Sequence, residues 1–197
     1  GTLITTQKNT LVLVATDGRR LAVASAALNT ASKQSLQAVL PAKTIRELGR
    51  LLTDDDDEVA ITPVKDNQFV FKFGSVSIVT RLIEGQFPSY DKVIPSPSKN
   101  TVSCSRQLLT NAIRRASLMT TATSQAVVFE LSANRLVVSK ESAEVGSARE
   151  ELMVAYTGEP LTVAFNPEFW LDVLKILDTD EVVIEIAGPD RPAAIRR

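Results

Sequence analysis

Hydrophobic and polar positions alternate with two distinct periods along this chain, and the switches between them mark out the elements. Residues 2–7 and 10–16 alternate or run apolar around Lys8-Asn9, which predicts a β-hairpin. Asp17-Gly18 opens a tight turn, where Asp-Gly supplies positive φ angles, and residues 20–26 return as a strand. A polar loop at 29–35 leads to a short strand at 37–40. Pro41 then stands where a helix can begin. From 42 to 52 the period becomes helical: Ile45, Leu48 and Leu52 share one face, and Lys43, Arg46 and Arg50 share the other. Strands follow at 58–63, 68–73 and 76–83, with turns at 65–67 and 74–75. Residues 84–100 carry Pro88, Pro95 and Pro97 and read as an extended linker, because proline opposes both helix and central strand.

The second half restarts with a strand at 101–105 and a helix at 106–119. Leu108, Leu109, Ala112, Ile113 and Ala116 fall on one helical face, Arg114 near the centre of the other, and Arg115 at its edge. Strands are predicted at 126–132, 135–140, 147–155 and 160–165. A mostly apolar helix spans 167–177, with a narrow polar strip of Glu168, Asp172 and Lys175. Strands at 181–187 and 192–197 follow.

The two halves echo each other. Asn9, Leu11, Val12 and Leu13 stand over Asn134, Leu136, Val137 and Val138 at an offset of 125 residues. The same offset carries the helix after Pro41 onto the helix after Asn166-Pro167. One offset over distant segments predicts a duplicated α+β unit, and therefore two domains, 1–90 and 91–197. The helix at 106–119 has no counterpart in the first copy, and the strand at 76–83 none in the second. On this basis the chain is expected to be part of a longer multi-domain protein.

Composition narrows the chemistry. The 197 residues include one cysteine and no histidine, so thiolate and imidazole metal sites and the commonest general base are excluded. No metal or cofactor is expected. Cys104 alternates with serines and reads as a half-buried strand residue compatible with a reducing cytosol, which suggests a cytoplasmic protein. A net charge of −1 gives no global attraction to nucleic acid, so any DNA-facing role must come from charge placed locally. The acidic run Asp54-Asp55-Asp56-Asp57-Glu58 lacks the ligand spacing and central glycine of a calcium loop and reads as a solvated connection. Asp17 has no companion base or metal, so a carboxylate hydrolase is a poor reading and the chain is not expected to be an enzyme. The cationic helix faces are either ordinary solvated surfaces or sequence-indifferent phosphate contacts.

Three motifs carry a resemblance. Val14-Ala15-Thr16-Asp17-Gly18-Arg19-Arg20-Leu21-Ala22 closely resembles a signature of the bacterial sliding clamps, the β subunits of DNA polymerase III. Leu82-Ile83-Glu84-Gly85-Gln86-Phe87-Pro88-Ser89-Tyr90 with Asp91-Lys92-Val93-Ile94-Pro95 is similar to that family's linker between second and third domains. Phe165-Asn166-Pro167 with Leu171-Asp172-Val173-Leu174 is similar to its third-domain helix.

The resemblance implies a DNA-clamp fold with antiparallel sheets and helices on one face. Residues 1–90 would be a second clamp domain without its N-terminal part, and 91–197 a third without its C-terminal strand. It implies a head-to-tail homodimeric ring around duplex DNA, with helices lining the hole and with polymerase, clamp loader and repair proteins as partners. The DNA-facing residues would be Lys43, Arg46, Arg50, Arg114 and Arg115. A groove for partner peptides would use Thr16, Gly18, Arg19, Arg20, Leu21, Pro88, Lys92, Val93, Asn166, Phe169 and Pro192. Arg19 stands where many members carry histidine, and the family's C-terminal groove segment is absent. This chain alone is therefore expected to be monomeric and to bind peptides weakly or not at all. The competing reading is a peptide-binding scaffold of the same fold with no DNA role.

Overall fold

The computed structural model describes residues 1–29, 35–53, 58–96 and 100–196. The chain divides into two compact units, Gly1–Tyr90 and Asp91–Arg197.

Unit one contains β1 (Thr2–Gln7), β2 (Thr10–Thr16), β3 (Leu21–Ala27), β4 (Gln37–Leu40), α1 (Ala42–Leu51), β5 (Ala60–Val64), β6 (Gln68–Phe73) and β7 (Val76–Arg81). Its antiparallel sheets run β3-β2-β1-β4 and β5-β6-β7. Hairpin chemistry sets the registers: Lys8, Asp66 and Asn67 adopt positive φ, as does Gly74. Ile4, Leu40, Leu48, Phe69, Phe71 and Phe73 form the main core, so the first sheet buries one face against α1 and the second sheet. Leu3 and Ile4 are both buried although they are adjacent in a strand, so β1 is covered on both faces.

Unit two contains β8 (Thr101–Ser105), α2 (Arg106–Ser117), β9 (Val127–Ser132), β10 (Arg135–Ser142), β11 (Gly146–Met153), β12 (Leu161–Phe165), α3 (Pro167–Ile176), β13 (Glu181–Ile186) and β14 (Ala193–Arg196). Its sheets run β11-β10-β9-β12 and β14-β13-β8. The order β11-β10-β9-β12 repeats β3-β2-β1-β4, and α3 follows β12 as α1 follows β4. Among the described residues, unit one has nothing in the place of β8 and α2, and unit two nothing in the place of β7. Ser105 caps α2 by accepting from the Leu108 amide, and Leu109, Ala112, Ile113 and Ala116 are buried at helical spacing.

Two expectations change. Leu108 does not belong to the buried face: it is 57% exposed. One residue before Leu109, it sits about 100° round the helix and beyond the reach of the sheet. Cys104 is buried in the core rather than half-buried, and burial pushes its thiol up to about 11. It should therefore resist a thiol reagent in the native protein and react on unfolding, and rapid native labelling would contradict this.

No helix among the described residues is long and apolar enough to cross a membrane. None of their His, Cys, Asp and Glu side chains gather in groups of three or more suited to a metal ion, and Asp54 to Asp57 lie outside the described residues.

Candidate peptide and DNA contact sites

The β2–β3 connection is rigid for identifiable reasons. Thr16 donates its hydroxyl to the Arg20 carbonyl at 2.8 Å and accepts from the Gly18 amide at 3.1 Å. Asp17 Oδ1 accepts from the amides of Arg19 at 3.0 Å and Arg20 at 2.9 Å. Its Oδ2 accepts from Arg20 Nε at 3.0 Å. Gly18, at φ +85°, supplies the left-handed residue the loop needs, and Asp17 does not share that conformation. Asp17 is thus an organiser of the loop, and it holds Arg20 beside the strand end.

These contacts hold the Asp17 carboxyl below its ordinary value: the amides of Arg19 and Arg20 contribute most, then the Arg20 guanidinium. A lowered folded value means loop order is fully present above the ordinary carboxylate pKa of about 3.9. It is lost as pH falls through the lower folded value. Acid titration by NMR should move the Arg19 and Arg20 amides together below about pH 4. Amides indifferent to that range would refute the assignment.

Leu21, just after this loop, joins a small apolar cluster. Leu3, Val12 and Val14 are buried and pack with half-buried Leu21, Phe87 and Tyr90. Gln7 Nε2 donates to the Tyr90 hydroxyl at 3.3 Å, tying β1 to the linker. A cavity of about 680 Å³ opens beside it, lined by Leu3, Val39, Leu82, Ile83, Gly85 and Phe87 among others. Thr16, Gly18, Arg19, Arg20 and Pro88 are exposed, and none of them lines this cavity. Of the residues predicted from motifs in unit one, Leu21 packs on this cluster, and the exposed loop precedes it in sequence. Leu3, Phe87 and Tyr90 were missed. The adjacent apolar pair Leu3-Ile4 was the available signal, since two neighbouring buried residues need cover on both faces.

In unit two, Lys92 and Val93 are exposed. Asn166 Oδ1 accepts from the Glu168 amide at 2.9 Å, capping α3, so part of its hydrogen-bonding capacity is already used. Phe169 is half-buried and Pro192 is exposed just before β14. Next to Phe169, Trp170 lies 4.9 Å from Phe129 and 5.0 Å from Phe165 between ring centroids.

The cationic candidates divide by environment. Lys43, Arg46 and Arg114 are exposed and have no ion pair among the described residues. Arg50 donates to Glu47 at 2.9 and 3.1 Å. Arg115 grips Glu150 of β11 with two bonds of 2.7 and 2.6 Å. That contact raises the Arg115 value and lowers that of Glu150.

Known proteins resolve the family. Residues 1–89 match the family described as DNA polymerase III beta subunit, central domain, and residues 91–197 match its C-terminal domain. The chain belongs to the DNA polymerase III beta subunit family. It is 34% identical over 195 residues to the beta sliding clamp of Pseudomonas aeruginosa, covering 99% of this chain and 53% of that protein. It is 32% identical to the beta sliding clamp of Bacillus subtilis, covering 96% and 51%. A crystal structure of the Pseudomonas aeruginosa sliding clamp bound to griselimycin superposes with TM-score 0.93 at 31% identity, covering 100% of this chain and 53% of that one. A putative beta subunit from Eubacterium rectale gives 0.90 at 26% identity, with the same coverage. The α+β fold is therefore that of the sliding clamps, and the chain spans about half the length of the relatives it matches.

Proposed function

We propose that this chain is the second and third domains of a DNA polymerase processivity factor, a cytoplasmic, non-enzymatic homodimeric ring that encircles duplex DNA. The physics is topological: a closed ring need only fail to leave the duplex. Weak, sequence-indifferent attraction to phosphates suits sliding, and Lys43, Arg46 and Arg114 are the side chains with charge to spare for it. Arg50 and Arg115 contribute less, because each already faces a glutamate.

Polymerase, clamp loader and repair proteins then tether through short peptides with apolar anchors. The observation that carries this reading is the apolar cluster of Leu3, Val12, Val14, Leu21, Phe87 and Tyr90 next to a hydrogen-bonded polar loop, with a cavity beside it. Apolar depressions with a few fixed polar groups favour such ligands. Thr16, Gly18, Arg19, Arg20, Leu21 and Pro88 would form one part of the groove, and Lys92, Val93, Asn166, Phe169 and Pro192 the other.

The test is a fluorescence-polarisation titration with a short peptide carrying two apolar anchors. Weak saturable binding is expected, reduced about tenfold, or 1.4 kcal/mol, by Arg20→Ala and by Phe169→Ala. Binding unchanged by both substitutions would remove the groove. The rival scaffold without a DNA role draws on the same groove and on the two paired arginines. Salt-dependent association with duplex DNA, weakened by Arg114→Ala, would exclude it.

A further inference from the structure

Lys140 is an anomaly in unit two. It continues the core-facing row of β10 after Leu136 and Val138, and it is only 7% exposed. Among the described residues it has no carboxylate partner. Its Nζ donates to one neutral group, Ser124 Oγ, at 2.6 Å. A buried ammonium facing a single hydroxyl lacks the compensation such a charge normally needs.

The end of α2 does not take the remaining donors. Its last carbonyls are served locally: Ser117 Oγ bonds Arg114, the Leu118 amide bonds Arg115, the Met119 amide bonds Ala116, and Thr120 bonds Ser117. Beyond the helix, residues 121–124 form a closed turn with reciprocal backbone bonds of 3.2 and 3.1 Å between Thr121 and Ser124. Thr121 Oγ1 accepts from the Ser124 amide and lies 3.2 Å from Thr123 Oγ1. Because Ser124 Oγ accepts from Lys140, its own proton must point elsewhere, and no acceptor for it stands among the described residues. The Thr121–Thr123 pair leaves one further hydroxyl proton unassigned, since only one of the two donates to the other. Thr123 and Ser124 are exposed.

We propose that residues 121–124 with Lys140 bind a phosphate oxyanion. The exposed hydroxyls donate to it, and the ammonium behind Ser124 supplies the charge that polarises them. Resting on the clamp reading, the phosphate is one of the duplex DNA backbone, taken beside that met by Arg114 in the last turn of the same α2. Free phosphate is the other source of the same chemistry.

Two arms separate these. In the first, the ¹⁵N-labelled chain is titrated with inorganic phosphate against sodium chloride at matched ionic strength. The amides of residues 121–124 should shift and saturate, with the response abolished by Lys140→Met and reduced by Ser124→Ala. In the second, association with duplex DNA is followed against salt. Lys140→Met should lower the slope of log K against log salt by about 0.9, and Arg114→Ala by a similar amount. A phosphate response without a Lys140 effect on the slope keeps the site and overturns the DNA source. No phosphate response in the wild type overturns the site. A flat DNA response in every variant is instead a failure of the clamp reading, while the phosphate arm still decides the site. Should Lys140→Met not fold, Ser124→Ala, at an exposed position, carries the phosphate arm, and Lys140→Gln carries the salt-slope arm.

Discussion

Trp170→Ala should cost unit two about 3–5 kcal/mol, the largest loss expected from a single substitution in this chain. Trp170 is 4% exposed, and its ring meets Phe129 and Phe165 at centroid distances of 4.9 and 5.0 Å. Those two rings also meet each other edge to face at 5.3 Å, so one deletion opens a three-ring cluster. β9, β12 and α3 each supply one ring, and β9 and β12 are held in register by their pairing. The corresponding fall in the unfolding temperature is on the order of 20 °C. Far-UV circular dichroism should read it, because Trp170 is the only tryptophan and its fluorescence vanishes with the substitution. Trp170→Phe should recover much of the loss. A Trp170→Ala protein melting within a few degrees of wild type would show that the cluster repacks.

The same substitution reaches the proposed groove. Phe169 is next along α3, and Asn166 fixes the start of that helix through the Glu168 amide. A loosened α3 would present Phe169 less well, so peptide affinity should fall with stability here. At Arg20, by contrast, the loop is exposed and a substitution should change affinity with little change in stability.

Much of this was legible in the sequence because it is local or periodic. The alternation in residues 2–7 and 10–16 gave β1 and β2 at those bounds, and the switch after Pro41 gave α1 to within one residue. The offset of 125 residues appears in three dimensions as the shared order of two four-stranded sheets. What the sequence concealed depends on partners distant along the chain. Arg115 looked like a free cation because Glu150 lies 35 residues away and meets it only when β11 is laid beside β10. Leu3, Phe87 and Tyr90 belong to one cluster, yet no local period links β1 to the linker. Lys140 falls on the inward beat of its strand, but a lysine there gives no local sign of burial; only packing reveals it.

The second large effect concerns a polar pair inside unit one. Thr44 of α1 and Thr80 of β7 are 8% and 9% exposed, and their Oγ1 atoms lie 2.7 Å apart. Thr80 Oγ1 also donates to the Arg81 carbonyl at 3.3 Å. Either hydroxyl can donate across the pair; with the Thr80 proton on the Arg81 carbonyl, Thr44 is the donor. That arrangement makes the two single substitutions unequal, which is the test of it. Thr80→Val leaves a buried Thr44 hydroxyl without its acceptor and should cost about 1–3 kcal/mol. Thr44→Val leaves Thr80 still donating to Arg81 and should cost less. Replacing both puts two apolar groups of similar shape in contact, so the double variant should be closer to wild type than the sum of the singles. Urea denaturation of all four proteins gives the coupling. Equal single costs that simply add would mean that the hydroxyls do not act as a directed pair. The pair matters beyond stability, because it ties α1, which carries Lys43 and Arg46, to β7, and so holds in place the cations proposed to meet phosphate.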